Sequence, residues 1–247
     1  MRYFLELSYQ GKNYHGWQIQ PNAISVQEVI EEAISTLLRE KTPIVGAGRT
    51  DTGVHAKQMF AHFDVETTIK TQSLIYKLNS LLPTDIAIKN IFLTTDDAHA
   101  RFDAVKRSYE YWVVQEKNPF MQDYAHYVRA ELELDKMNGA AEALLQYSDF
   151  QCFSKSNTDV KTYICKLEKA IWVQEENRLA FHISADRFLR NMVRAIVGTL
   201  LDVGMGKSSL EDVKNILESK NRSNAGASVP AHGLYLTEVL YPETIFK

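Results

Sequence analysis

The spacing of hydrophobic residues along this chain switches between two periods, and each period predicts one type of secondary structure. Near the N-terminus every second position is apolar, at Tyr3, Leu5, Leu7 and Tyr9. This period of two predicts a strand over residues 2–10. Residues 25–40 carry apolar side chains three and four positions apart, which predicts an amphipathic helix. Ser25 and Glu28 form a capping-box pattern at its start.

The same two periods predict the remaining elements. Strands are expected at residues 58–66, 86–93, 107–115, 163–174, 178–185 and 233–241. Helices are expected at residues 71–81, 135–147, 187–203 and 209–219, and a polar loop at residues 153–162. Because strands and helices mix without regular alternation, the order predicts an α+β fold with a largely antiparallel sheet.

The chain has 247 residues, which allows one large domain or two small ones. The order of elements favours two similar halves, although no direct sequence repeat is visible. We place the boundary from element spacing, which gives an N-terminal α+β half at residues 1–104 and a C-terminal α+β half at residues 105–247.

Composition and charge narrow the class of protein. The net charge is −3, which argues against a protein that coats nucleic acid nonspecifically but is compatible with a concentrated basic cleft. Cys152 and Cys165 are expected to be reduced, packed thiols, and no Cys/His spacing indicates zinc. No apolar run of about 18 residues and no signal-peptide pattern is present. We therefore expect a cytoplasmic enzyme or binding protein without a membrane span, a metal or a cofactor motif.

Residues 46–56, GAGRTDTGVHA, contain a single aspartate, Asp51, whose role has competing interpretations. A Gly-rich turn in which Asp51 binds backbone amides is the simplest one. The letters DTG also occur in aspartic proteases, but these need two carboxylates that share a proton, and Arg49 opposes such sharing. A neighbouring arginine favours an ionised carboxylate, which suits a nucleophile or a base. His55 in the same loop is a candidate substrate-binding residue.

The helix expected at residues 187–203 carries polar residues at positions i, i+3, i+4 and i+7. They are Arg187, Arg190, Asn191 and Arg194. On a helix these four positions share one stripe. A solvated helix face and a phosphate-binding surface both explain such a stripe, and in the second case the arginines bind phosphates as planar forks.

Two tyrosines, Tyr109 and Tyr111, share one face of the strand expected at residues 107–115. Core packing is one explanation, because aromatic strand residues are usually buried. The alternative is stacking against an unpaired base, since aromatic residues beside basic ones are typical of RNA-binding surfaces. Arg101 and Arg107 supply the basic neighbours, so both are candidate RNA-binding residues.

Five segments match, in order and with similar gaps, the conserved blocks of one protein family. They read YHGWQIQPNAISVQEVIEEAI, GAGRTDTGVHA, AHARFDAVKRSYEY, FLRNMVRAIVG and PAHGLYL. On these motifs, which span nearly the whole chain, the protein resembles the tRNA pseudouridine synthase A family. Five ordered blocks are far more specific than any one of them.

The resemblance implies the pseudouridine synthase fold, in which two ferredoxin-like halves form an extended, mostly antiparallel sheet flanked by helices. It also implies a homodimer with a positively charged cleft, and an activity that needs no metal or organic cofactor. The implied substrate is the anticodon stem-loop of several tRNAs, in which uridines at positions 38, 39 and/or 40 become pseudouridine.

The resemblance also assigns roles to single residues. Asp51 matches the catalytic aspartate, and Arg49 matches the arginine that pairs with it. Tyr109 matches the tyrosine that lies against the flipped-out target base, and Leu234 matches the apolar residue that lines the pocket. Glu110 is a departure, because relatives often have a basic residue at this position.

Several questions stay open at the level of sequence. The carboxylate can attack C1′ or C6 of the uridine, or remove the proton at C2′, and the residues do not choose among these routes. A noncatalytic tRNA-binding or chaperone protein of the same fold is the rival expectation. It differs in predicting tRNA binding without product.

Overall fold

The computed structural model describes residues 1–155 and 160–247, and within these ranges it has nine strands and five α-helices. The strands are β1 Arg2–Tyr9, β2 Val45–Gly46, β3 His55–Asp64, β4 Ile86–Leu93, β5 Lys106–Val114, β6 His126–Tyr127, β7 Leu167–Glu175, β8 Arg178–Ala185 and β9 Leu234–Leu240. The helices are α1 Val26–Leu38, α2 Thr71–Leu81, α3 Leu134–Leu144, α4 Met192–Gly204 and α5 Leu210–Ser219. Two compact units result. Unit 1 comprises Met1–Lys106 with Tyr235–Lys247, and unit 2 comprises Arg107–Leu234.

Unit 1 has the strand and helix order of a ferredoxin-like fold, β-α-β-β-α-β. Strand β1 lies between β4 and β3 and is antiparallel to both. Strand β2 pairs antiparallel with β3, and β9 pairs parallel with β3. Because β2 and β3 are neighbours, the segment that joins them is held as a loop at the end of this pair.

Both faces of β1 are buried, although the period of two predicts one apolar face. Leu5 and Leu7 are inaccessible on one face, and Phe4 is equally inaccessible on the other. The second face is covered by the C-terminal segment, in which Tyr241 and Phe246 contact Phe4 edge-on at 5.2 and 6.0 Å between ring centroids. This aromatic cover comes from residues distant in sequence.

Local sequence features mark both ends of helix α1. The Ser25 hydroxyl accepts from the Glu28 N–H at 3.2 Å, and the Glu28 carboxylate accepts from the Ser25 N–H at 3.4 Å. The expected capping box is therefore confirmed. The helix ends at Leu38, after which Arg39 takes a left-handed conformation with φ 60°.

Unit 2 contains an antiparallel sheet in the order β5-β8-β7, with the short strand β6 parallel to β5. Helix α3 packs against β7, α4 and α5. Helix α4 is buried along most of its length, which explains why its apolar residues are not confined to one narrow stripe. The predicted α+β class is confirmed.

The helix predicted at residues 187–203 is wrong at its start, because α4 begins at Met192. Asn191 is its N-cap residue and has φ 67°, a left-handed conformation that asparagine tolerates better than most residues. Residues 187–191 therefore lie outside the helix. The expected single stripe of three arginines does not exist.

The two units also differ from the halves expected at residues 1–104 and 105–247. The C-terminal residues from Tyr235 onward belong to unit 1, because β9 pairs with β3 through His55 with Tyr235 and Ala56 with Leu236. Part of the polar loop expected at residues 153–162 lies outside the described residues. Across the described residues, none of the α-helices combines the length and the hydropathy that a membrane crossing requires.

Candidate functional site

The loop that carries Asp51 connects the antiparallel strands β2 and β3 in unit 1. The Ala47 N–H donates to the Phe60 carbonyl at 2.8 Å, which extends the pairing past Gly46. The Val54 N–H donates to the Asp51 carbonyl at 3.2 Å, and between them Gly53 has φ 81°. Such a positive φ suits glycine, so the turn beside Asp51 depends on it.

The loop between β1 and α1, which is the first loop of unit 1, contacts this turn. The Trp17 N–H donates to the Thr50 carbonyl at 3.3 Å, and the Tyr9 and Thr50 hydroxyls are 2.9 Å apart. Gly16 has φ 87°, and a Cβ there would collide with the Thr50 carbonyl oxygen. The backbones of the two loops therefore approach as closely as only a glycine permits.

The indole of Trp17 and the side chain of Gln27 fix the chain that leads into the loop. Trp17 is 1% exposed and fills the space where a side chain at Gly46 would lie. Gln27 is buried, and its amide nitrogen donates to the Ile44 carbonyl at 2.9 Å. These contacts tie α1 and the first loop to the segment just before Asp51. They give a physical role to the motif YHGWQIQPNAISVQEVIEEAI.

Asp51 is half-buried and Arg49 is exposed. Arg49 lies two residues before Asp51 in sequence. The pairing expected between the two side chains stays a prediction.

His55 lies at the end of the loop and is 2% exposed. Its Nδ1 accepts from the Gly11 N–H at 3.1 Å, and its ring stacks on Tyr235 with centroids 4.7 Å apart. A ring nitrogen that accepts is unprotonated, so the proton of the neutral imidazole resides on Nε2. His55 therefore stabilises the loop, because it links Gly11 and β9 to the start of β3.

In unit 2 the two tyrosines of β5 have different environments. Tyr111 is fully buried, and its hydroxyl donates to the Pro230 carbonyl at 2.8 Å. Burial raises the pKa of Tyr111 well above its usual value. Tyr109 is only half-buried, and its ring meets the ring of Phe188 edge-on at 5.1 Å. Core packing thus describes Tyr111, whereas Tyr109 keeps an accessible surface.

The segment between β8 and α4 is held by hydrogen bonds within itself and to other parts of unit 2. The Asp186 carboxylate accepts from the N–H groups of Arg187 and Lys166 at 2.7 and 2.8 Å. The guanidinium of Arg107 donates to the Asp186 carbonyl at 3.0 Å, and that of Arg187 donates to the Thr162 carbonyl at 3.1 Å. Both of these predicted RNA-binding arginines therefore use part of their donor set within the protein.

The beginning of α4 is clamped to the segment that precedes β9. Arg194 donates from Nε to the Val229 carbonyl at 2.7 Å and accepts the Val229 N–H on its own carbonyl at 3.2 Å. The Asn191 amide donates to the Ser228 hydroxyl at 2.6 Å, and Arg222 donates to the same hydroxyl at 2.9 Å. Asn191 and Arg194 are therefore positioning residues for the closing motif. Arg190 is exposed.

The closing motif, PAHGLYL, packs against Tyr111. A Cβ at Gly233 would lie 2.8 Å from the Tyr111 ring and 3.0 Å from the Trp112 carbonyl oxygen. Leu234 follows directly and is 6% exposed. Its placement depends on the close approach at Gly233 and on the hydrogen bond from the Tyr111 hydroxyl.

Arg101 lies in unit 1, exposed, with its guanidinium 5.6 Å from the centroid of the Phe102 ring. The structure thus groups Asp51, Arg49 and His55 on one loop of unit 1, and groups Tyr109, Leu234 and the remaining candidates in unit 2. Within the described ranges no set of three His, Cys, Asp or Glu side chains is arranged to hold a metal ion.

Several residues that shape these sites are not marked by the sequence pattern. Phe188 contacts the Tyr109 ring, Ser228 accepts from the Asn191 amide, and Arg222 donates to the same Ser228 hydroxyl. Arg222 lies just beyond a helix, where a basic residue usually signals only charge at a helix terminus. Its hydrogen bonds to the loop that follows could not be read from spacing.

Comparisons with known proteins place these motifs in context. A family model described as tRNA pseudouridine synthase matches residues 7–103 and 140–242. A tRNA pseudouridine synthase A of Bacteroides fragilis is 52% identical over 100% of this chain and 98% of its own length. The Parabacteroides distasonis protein of the same name is 52% identical over 99% of this chain and 98% of its own. That of Bacillus subtilis is 41% identical over 98% of this chain and 99% of its own.

Proposed function

Because the chain belongs to the tRNA pseudouridine synthase family, we propose that it isomerises uridines in the anticodon stem-loop of tRNA to pseudouridine. The targets are the uridines at positions 38, 39 and/or 40. The reaction breaks the N1–C1′ bond, turns the uracil and joins C5 to C1′. Nothing is oxidised, and no external group is added.

The observation that carries this proposal is the construction of the Asp51 loop. A half-buried carboxylate stands on a turn that is fixed by the close approach at Gly16 and by the positive φ of Gly53. An oriented, ionised carboxylate can attack C1′ or C6, or remove the C2′ proton. In each route Asp51 is the catalytic residue. The three differ only in which uridine atom it reaches.

A uridine inside an RNA stem or a stacked loop must leave its neighbours before its sugar is accessible. Tyr109 serves as the stacking partner of the flipped base, since it is only half-buried while Tyr111 is buried. Leu234 supplies an apolar wall that keeps the detached uracil in place. Arg49, which is exposed, occupies the space that the base has left or contacts the backbone beside it.

Binding of the RNA backbone is assigned to the exposed basic residues. Arg190 and Arg101 are the exposed members of the predicted set, whereas Arg107, Arg187 and Arg194 share their donors with backbone carbonyls. The homodimer and the cytoplasmic location stay predictions from the family resemblance. Sedimentation of the purified chain tests the first.

Replacement of the carboxylate tests the catalytic assignment. Asp51→Asn removes the nucleophile or base at nearly constant volume. It is expected to abolish tritium release from tRNA that contains 5-tritiated uridine while leaving tRNA binding near the wild-type level. Asp97→Asn is the matched control, because Asp97 is an exposed carboxylate of the same unit outside the loop. Substantial turnover by Asp51→Asn contradicts the assignment.

The rival function is a noncatalytic tRNA-binding protein of the same fold. Incubation of the wild-type chain with an unmodified tRNA transcript, followed by nucleoside analysis, separates the two. Pseudouridine in the product supports the enzyme. Binding of the transcript without product supports the rival.

A further inference from the structure

Phe102 exposes 73% of its surface in unit 1. Single exposed apolar side chains are common in soluble proteins, so exposure alone indicates no function. Tyr76 on α2 is equally exposed, at 75%, and has no ring contact among the described residues. Phe102 differs from Tyr76 in the support beneath its ring.

A row of four rings connects Phe102 to the core of unit 1. The Phe102 centroid lies 4.3 Å from the ring of His99, and the His99 centroid lies 4.7 Å from that of His62. The His62 ring in turn stacks on Phe4 at 6.1 Å, and Phe4 is fully buried. We call these four residues the aromatic row. It fixes an exposed ring to a rigid interior.

The turn that carries Phe102 is closed by side-chain acceptors. The N–H groups of Arg101 and Phe102 both point to Nδ1 of His99, at 3.1 and 3.4 Å. The His99 N–H donates to the Asp103 carboxylate at 2.7 Å, and the Asp103 N–H donates to the His99 carbonyl at 3.0 Å. A ring held in this way loses little conformational entropy when a ligand stacks on it.

Charge beside the ring indicates the chemistry of the ligand. The guanidinium of Arg101 lies 5.6 Å from the Phe102 centroid and is itself exposed. A fixed aromatic ring next to a planar cation is the combination that binds an unpaired nucleotide, since the ring stacks on the base and the cation attracts the phosphate.

We propose that Phe102 and Arg101 form a stacking subsite for an unpaired base of the tRNA other than the target uridine. The subsite rests on the proposed function, because it assumes tRNA as the substrate. It adds a contact outside the loop of Asp51, on the turn that precedes β5. A base of the single-stranded anticodon loop has the chemistry that fits it, whereas a base inside a duplex has no free face to offer.

Binding of an unmodified full-length tRNA transcript to the full chain tests the subsite. Phe102→Leu keeps an apolar side chain but removes the ring, and is expected to weaken binding roughly 5- to 150-fold, the range of base–aromatic stacking. Phe102→Trp is expected to bind within about two-fold of wild type, because indole stacks at least as well. A fully paired RNA duplex serves as second probe and should bind all variants equally.

Tyr76→Leu is the matched control, with the same exposure in the same unit but without the aromatic row. Binding of tRNA by Phe102→Leu at the wild-type level overturns the subsite, as does an equal loss in Tyr76→Leu. Sedimentation of the same variants reveals whether Phe102 contacts a second copy of the chain instead, and a loss of affinity that follows a change in oligomeric state also overturns it. A wild-type chain that yields no pseudouridine refutes the proposed function, whereas turnover with unaltered binding by Phe102→Leu refutes only the subsite.

Discussion

At the scale of single residues, the closest backbone approaches decide where the candidate side chains lie. Gly233 is one such case, because a methyl group there would meet both the Tyr111 ring and the Trp112 carbonyl. A flexible side-chain end can move aside, but a backbone carbonyl in a strand is fixed by its neighbours. The position of Leu234 therefore depends on the absence of a side chain one residue earlier.

Gly233→Ala is expected to lower the free energy of unfolding by about 1–3 kcal/mol, the usual cost of overpacking. It should also reduce kcat/KM by shifting Leu234. Gly139→Ala is the control, since no atom lies within 4 Å of its Cβ position inside α3. That change should stabilise by about 0.5–1 kcal/mol through helix propensity. Urea denaturation of both variants measures the difference, and equal stabilities contradict the packing argument.

At the scale of elements, the boundary of α4 separates two kinds of arginine. Arg194 lies within the helix and donates to the Val229 carbonyl, so its side chain is part of the clamp on the closing segment. Arg190 precedes the N-cap residue Asn191 and is exposed. A helix that started at residue 187 would have made the two equivalent. The observed start gives them different roles.

Arg190→Gln is expected to reduce the slope of log K against log salt concentration for tRNA binding by about 0.7–0.9, corresponding to one phosphate contact. The free energy of unfolding should stay within about 0.5 kcal/mol of wild type, as for most surface changes. Arg194→Gln is the comparison and should instead lower stability, because the Val229 carbonyl loses its donor. Titrations of tRNA binding at several salt concentrations measure this slope. An unchanged slope in Arg190→Gln contradicts a phosphate contact and favours a solvated role for Arg190.

At the scale of the whole molecule, stability is coupled to pH through two imidazoles of unit 1. His62 is 5% exposed and its Nδ1 accepts from the Ala100 N–H at 3.1 Å. Burial, and then the charge of Arg2, lower the pKa of His62 to about 4. The pKa of His99 is lowered by the same two causes, while Asp103 opposes the shift. Both rings are therefore neutral acceptors at neutral pH.

The free energy of unfolding is expected to fall as the pH drops from about 6.5 to about 4. Over this interval the unfolded chain binds a proton at His62 that the folded chain excludes, so stability is complete above the unfolded pKa and declines below it. The contribution of His62 is about 2–3 kcal/mol. Denaturation of wild type and His62→Gln across this range measures it. Glutamine retains an acceptor without titrating, so an equally steep decline in the variant contradicts the assignment.

The sequence by itself determined the elements whose boundaries rest on local chemistry. Helix α1 begins at a capping box formed by residues three apart, and both partners are adjacent on the same turn. The period of two in β1 and the mixed order of elements were sufficient for the α+β class. The five motifs were sufficient for the family. None of these depends on contacts between distant residues.

Only the tertiary structure decided which members of a repeating pattern are available to a ligand. Tyr109 and Tyr111 are equivalent by spacing, yet the hydroxyl of Tyr111 is bound to the Pro230 carbonyl, 119 residues away. The helical spacing of residues 187–203 is real, but hydrogen bonds around Asp186 and the left-handed Asn191 delay the helix to Met192.

The physical reason is that periodicity reports only which side a residue would face if the element were regular. It does not report what covers that side, nor which carbonyls need a donor. For GAGRTDTGVHA the sequence identified the carboxylate. The fold then showed that His55 is buried as a support of the loop and that Arg49 is exposed beside a half-buried Asp51.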